Sequence, residues 1–310
     1  KEKTSCIFDL KVEMLKALNK KRAKNMPIRN PVEWMVAQLE VGAALGTDTA
    51  SEYWPDKRAV RLPKVRQISI KDVRASLAGG LRDFASSRTD VIFMCLVYPV
   101  MGLVLAGVAA KESLLPMLFP VASGFALVGP FFALGLYEMS RQREITGRMN
   151  WLDVFKVVRS PAIWSIMAMG GVLIGLFLLW LAVAQAIYDI TLGPQPPASV
   201  PAFISAVFTT DAGWVMIALG LAAGALFAVG VLAISVVSFP LLLDRPTSFT
   251  RAISVSLLAM RRNPLLLLLW GLVVAVALFI GSLPFFLGLV VVLPVLGHAT
   301  WHLYRRLVTA

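Results

Sequence analysis

Apolar residues in this chain gather into runs of about 20, the length a helix needs to cross a hydrocarbon core, and short charged stretches separate the runs. Six such runs fall near 91–110, 114–137, 163–188, 214–239, 264–282 and 284–304. Only Gly281-Ser282-Leu283-Pro284 parts the last two, which predicts a tight reversal there. Ahead of the first, third and fifth runs the pattern becomes amphipathic. Ile70, Val73, Leu77, Leu81 and Phe84 recur at helical spacing before the first run. NWLDVFKVVRSP precedes the third and SFTRAISVSLLAMRRNP the fifth. Each of these segments opens on an N-cap type of residue (Ser69, Asn150, Ser248). Each closes on a basic residue and a fresh helix start: Thr89-Asp90, Ser160-Pro161, Asn263-Pro264.

The even-numbered runs end alike. In GPFFALGLYEMSRQRE a proline, Pro130, lies inside apolar sequence, and Tyr137, Arg141 and Arg143 follow. PVLGHATWHLYRR repeats the spacing: Pro294 precedes Arg305 by eleven residues, as Pro130 precedes Arg141, and Trp301 stands where Tyr137 stood. The fourth run leaves through SFPLLLDR, with Pro240 and Arg245. The chain therefore reads as an all-α polytopic membrane protein. Its six transmembrane helices form three pseudo-repeated hairpins, about 69–148, 150–246 and 248–306, each preceded by an amphipathic surface helix. The second copy carries an additional proline-rich loop, 189–213.

Composition narrows the class. Hydrophobic residues make up 58% and charged residues 15% of the 310, and the mean hydropathy is +0.75, too apolar for a soluble domain of this size. The net charge of +12 would suggest nucleic acid in a soluble chain, but here it is segregated. Of the 30 Lys and Arg, 29 fall on the side bearing both termini, and Lys111 alone falls on the other. By the positive-inside rule the termini face the cytoplasm or a mitochondrial matrix. Tyr137, Arg141, Trp301 and Arg305 are expected as interface anchors. Residues 1–30 carry acids and no signal-type apolar core, so no signal peptide is expected.

Residues 1–66 read as a basic, partly helical extramembrane extension to a membrane domain spanning 67–310. DLKVEMLKALNKKRAKN and NPVEWMVAQLEVGAALG each predict a helix, with Leu15, Leu18, Trp34, Met35 and Leu39 as partner-docking candidates. This segment is net +6, which suits anionic lipid (cardiolipin, for example) or a partner's acidic face. Small residues allow helices to approach closely, so Gly124, Gly129, Gly220 and Gly224, with Pro130, are expected at packing surfaces.

Candidate chemistry is sparse. His298 and His302 are the only histidines and lie i, i+4 on the last run; they share one helix face and cannot clamp opposite faces of a haem. Cys6 and Cys95 suggest neither a disulfide framework nor a metal site. Glu138, Gln185, Asp189 and Asp244 flank spans, and Glu138 beside Arg141 and Asp244 beside Arg245 read as interfacial ion pairs. A membrane enzyme would require Glu138 and His302 to converge. No catalytic residue, cofactor or metal is expected.

The stretch LLPMLFPVASGFALVGPFFALGLYEMSRQRE, followed by Trp151, VF, RSPA, FLLW and Tyr188, resembles a bacterial family of predicted integral membrane proteins of unknown function. Some members are labelled putative cytochrome c oxidase proteins. The likeness covers about 67–310 and is most specific in 114–188. It implies a place in an energy-transducing membrane, the mitochondrial inner membrane or a bacterial plasma membrane. The expected role is a non-catalytic accessory subunit of a respiratory-chain complex, with that complex's other membrane subunits and phospholipids as partners. A transporter or lipid-handling protein is the alternative.

Overall fold

In the computed structural model the described residues are 63–86, 107, 112–148, 156–158, 160–245, 247–284 and 287–309. They fall within one unit, Gly46–Ala310. The elements run β1 (Lys64–Val65), α1 (Ile70–Ser86), a 3-10 segment (Glu112–Met117), α2 (Leu118–Phe132), α3 (Leu134–Thr146), α4 (Ile163–Thr191) and α5 (Val200–Thr209). They continue α6 (Asp211–Ser235), α7 (Ser238–Asp244), α8 (Phe249–Arg262), α9 (Pro264–Ser282), α10 (Leu289–Leu307) and β2 (Val308–Thr309). The fold is all-α apart from a two-residue antiparallel clip, in which Lys64 pairs with Thr309 and Val65 with Val308.

Local chemistry accounts for most boundaries. Asn263 ends α8, and Pro264 starts α9 at a position where its missing N–H is no loss. Gly147, at φ 71°, closes α3 in the left-handed conformation that glycine adopts freely. The Ser199 hydroxyl caps α5 and the Thr210 hydroxyl caps α6. At the start of α1, the Asp72 carboxylate accepts from both the backbone N–H and the hydroxyl of Ser69, at 2.8 Å each.

Among the described residues three stretches are long and apolar enough to cross a membrane: Ile163–Thr191, Asp211–Asp244 and Pro264–Ser282. The expected span 264–282 coincides with α9. The expected span 214–239 is interrupted: α6 and α7 are separated at Val236–Val237. Pro240 explains this, because its ring crowds the Val236 carbonyl and leaves that carbonyl without its helical donor. The expected span 114–137 is likewise divided into the 3-10 segment, α2 and α3. Here the step falls at Ala133, well past the carbonyl that Pro130 frees, so proline does not account for it. The first expected span, 91–110, lies outside the described residues apart from Gly107, as does Asn150.

Burial is concentrated where the exit segments meet. Every residue of Leu134–Ser140 in α3 and of Ser238–Leu243 in α7 is buried, as is most of the C-terminal half of α10. These three segments pack on one another and define a polar end of the bundle. The apolar shafts are barely covered: 28% of the most apolar stretch of α4 and 17% of that of α9 is buried. Trp164, Leu179, Leu265, Leu272 and Phe279 all stand exposed. Large apolar side chains over such an area are stable against lipid, not water.

Candidate functional site: a buried polar network

The site begins at α1, whose inward face is Val73, Ser76, Gly79, Gly80 and Asp83, with Leu77 packed in part against the core. Ile70 and Leu81 are 49% and 56% exposed. The reason is close approach: α1 crosses α10 where only glycine fits. A Cβ on Gly80 would lie 2.6 Å from the Ala299 Cβ, and one on Gly79 would lie 2.7 Å from the His302 ring. That contact carries Asp83, one turn further on, into the space between α3 and α10.

Asp83 then gathers three donors. Its Oδ2 accepts from the Ser140 hydroxyl at 2.7 Å and from His302 Nε2 at 3.0 Å, and its Oδ1 accepts from Arg143. Ser140 Oγ also lies 2.8 Å from His298 Nδ1. Serine has one proton, and an ionised carboxylate can only accept, so that proton belongs to Asp83. His298 Nδ1 must therefore donate to Ser140, and a neutral ring then has its lone pair at Nε2. That nitrogen is buried and meets the hydrogen-bond criteria with no partner among the described residues. Burial pushes the Asp83 carboxyl up, but the hydrogen bonds from His302 and Ser140 outweigh it and hold the group below the usual carboxylate range.

A second layer joins α3, α7 and α10. Arg305 donates to Glu144 Oε1 at 2.7 and 3.0 Å, and Trp301 Nε1 donates to Glu144 Oε2 at 3.2 Å. The Tyr304 hydroxyl donates to Asp244 at 2.6 Å, and Arg245 pairs with the same carboxylate. Glu138 is held by Arg141 at 3.1 Å and Gln142 at 2.6 Å. The two ion pairs expected from the sequence, Glu138–Arg141 and Asp244–Arg245, are present. Gln185 and Asp189 bond to each other on the exposed side of α4.

The clip forms a third layer. Arg262 donates to the Val65 carbonyl at 2.6 Å, and the Asn263 amide accepts from Ile68 N–H at 2.8 Å and donates to Arg66 O at 3.0 Å. Asp72 pairs with Arg66 at 3.1 Å and Arg306 at 3.2 Å. The backbone and hydroxyl of Ser69, together with these arginines, hold its carboxyl low.

Residue types familiar from nucleophilic catalysis are present, but in the wrong order. A catalytic histidine stands between serine and aspartate, whereas Ser140 here stands between Asp83 and His298, with its proton committed and its oxygen occupied. His302 meets Asp83, and Glu138 bonds to Arg141 and Gln142 instead. Among the described residues no group of three His, Cys, Asp or Glu side chains is arranged to hold a metal. Apart from His298 Nε2, the arrangement is one of polar groups bonded to one another across helices.

Other candidates separate. Gly124 lies against Phe177 and Trp180, and Gly224 against the Trp180 ring; the Trp180 indole N–H is held by the Pro120 carbonyl at 2.9 Å. Gly129 and Gly220 face no neighbour within 4 Å among the described residues, so neither marks a close crossing there. Pro130 lies near the end of α2. Tyr137 and Trp301 are 3% and 1% exposed. They are buried where the exit segments pack together and do not anchor to headgroups. Arg141 and Arg305 are part-exposed and tied to carboxylates. Leu15, Leu18, Trp34, Met35 and Leu39 lie outside the described residues.

Residues 118–244 match the family of predicted integral membrane proteins, DUF2189. That match bears out the resemblance read from 114–188, and with the apolar helices it makes the chain an integral membrane protein. It covers the exit segments α3 and α7 and stops short of α1 and α10, which supply Asp83 and both histidines. No curated protein and no solved structure matches the chain. Sequence reasoning does not single out Asp83, Ser140 or Glu144, and it names Arg143 only as part of the exit of the second run. The one available signal for Asp83 was its register with Gly79-Gly80.

Proposed function

We propose that the chain is a non-catalytic accessory subunit of a respiratory-chain membrane complex, cytochrome c oxidase or an assembly containing it. The observation that carries the non-catalytic part is the state of the ionisable groups. The carboxylates of the polar end are engaged by neighbouring side chains, and no charged residue interrupts the interior of α4, α6 or α9. An ion-coupled transporter needs such groups within its spans. The respiratory part rests on the family resemblance, some members of that family bearing an oxidase label.

In this reading the six spans form three parallel hairpins with both termini on the cytoplasmic or matrix side. What supports the repeat is that α3, α7 and the end of α10, the exits of the three expected copies, share one packing site. Residues 1–66 would lie on a partner subunit. Purification in mild detergent tests the proposal: the chain should migrate on a native gel with redox subunits, and deletion of 1–66 should release a folded bundle. A chain that runs alone and moves a solute across liposomes favours the transporter instead.

A further inference from the structure

We propose that the outer faces of α1 and α8 together form a binding surface for anionic phospholipid headgroups. Among the described residues the basic side chains of the polar end differ in what they meet, and Arg262 donates to a backbone carbonyl. Arg66, Arg141, Arg143, Arg245, Arg305 and Arg306 are paired with carboxylates. Lys71, Arg74 and Arg82 on α1 and Arg251 and Arg261 on α8 are exposed and have no ion pair or side-chain hydrogen bond among the described residues.

Among the described residues no acid on either helix is left to offset these five. Both acids of α1, Asp72 and Asp83, are engaged in the networks described above, and α8 contains none. A face turned only to water normally interleaves both signs. The same faces also carry exposed apolar side chains: Ile70 and Leu81 beside the α1 cations, and Leu257 beside Arg261. Cations and apolar groups sharing an outer face are the mark of a helix lying in a headgroup layer. Chain connectivity puts α8 there, since Asn263 alone separates it from α9, whose Leu265 is 80% exposed.

The occupant is therefore the phosphate of an anionic lipid, with its acyl chains against the exposed leucines. This surface stands or falls independently of the respiratory reading, because it concerns lipid and not a protein partner. Each cation near an anionic leaflet contributes roughly fivefold to binding.

The test uses the full chain, extracted in mild detergent from vesicles of phosphatidylcholine and phosphatidylglycerol in equal parts, with bound lipid measured by mass spectrometry. The wild type should retain phosphatidylglycerol in preference. The variant K71Q/R74Q/R82Q/R251Q/R261Q should lose more than about tenfold of that preference, whereas R148Q, a loop charge outside both helices, should keep it. No preference in the wild type, an unchanged preference in the fivefold variant, or an equal loss in R148Q overturns the proposal. If the fivefold variant does not fold, salt decides. Added KCl should strip phosphatidylglycerol and not phosphatidylcholine from the wild type, and a salt-insensitive preference is the contrary result.

Discussion

Replacing Asp83 with alanine isolates the energetic role of the buried network. The change removes the acceptor for Ser140, His302 and Arg143 together. The three donors do not suffer equally. Arg143 and His302 have side chains 36% and 33% exposed, so water can replace the carboxylate for them. Ser140 is 3% exposed, so water cannot replace the carboxylate for its hydroxyl. One buried hydroxyl left unsatisfied costs about 1–3 kcal/mol, and loss of the partly screened Arg143 pair adds up to about 1 kcal/mol. The expected destabilisation is about 2–4 kcal/mol, a fall in thermal midpoint of roughly 5–10 °C. Thermal unfolding in detergent, followed by circular dichroism, measures it. Asp83→Asn, which keeps the shape and one acceptor, should cost less. Asp83→Ala combined with Ser140→Ala should cost about 1 kcal/mol less than the sum of the single changes. A midpoint for Asp83→Ala indistinguishable from the wild type, or strict additivity with Ser140→Ala, would refute the network as a source of stability.

Gly80→Leu should separate α1 from α10 and destabilise the bundle by at least about 1–3 kcal/mol, whereas Ala78→Leu on the exposed side of the same helix should be neutral in the same melt. Asn263→Ala leaves Ile68 N–H and Arg66 O without their partner; limited proteolysis should then cut between residues 63 and 69 faster than in the wild type. Asp83 and Asp72 both have lowered folded-state pKa values. Their stabilisation is thus complete above the ordinary carboxylate range, about 4, and is lost as the pH falls through the lowered values. The thermal midpoint should drop on acidification below that range, and Asp83→Asn should flatten the drop.

The long-range pattern of the chain was legible and its polar interior was not. Run length alone places α9 at 264–282, because a helix in lipid must satisfy its own backbone and so fills the apolar stretch. The exit grammar of proline followed by a basic residue picks out α3, α7 and the end of α10. What it does not show is that these pieces pack together, so Tyr137 and Trp301 read as interface residues when they are buried. In α1 the amphipathic pattern marks the apolar side of a surface helix but not the face that meets α10. That face was chosen by size, since only Gly79 and Gly80 permit the crossing, and Asp83 followed by register. The clip joins residues 245 positions apart through two-residue strands, too short to leave any periodicity.

The orientation of the bundle across a membrane is the claim on which the rest of the account depends. Single cysteines at Ala198, in the loop before α5, at Leu283, after α9, and at Thr309 test it in sealed vesicles with a membrane-impermeant thiol reagent, in a background with Cys6 and Cys95 replaced. Ala198→Cys and Leu283→Cys should react from one side and Thr309→Cys from the other. Reaction of all three from the same side would contradict it.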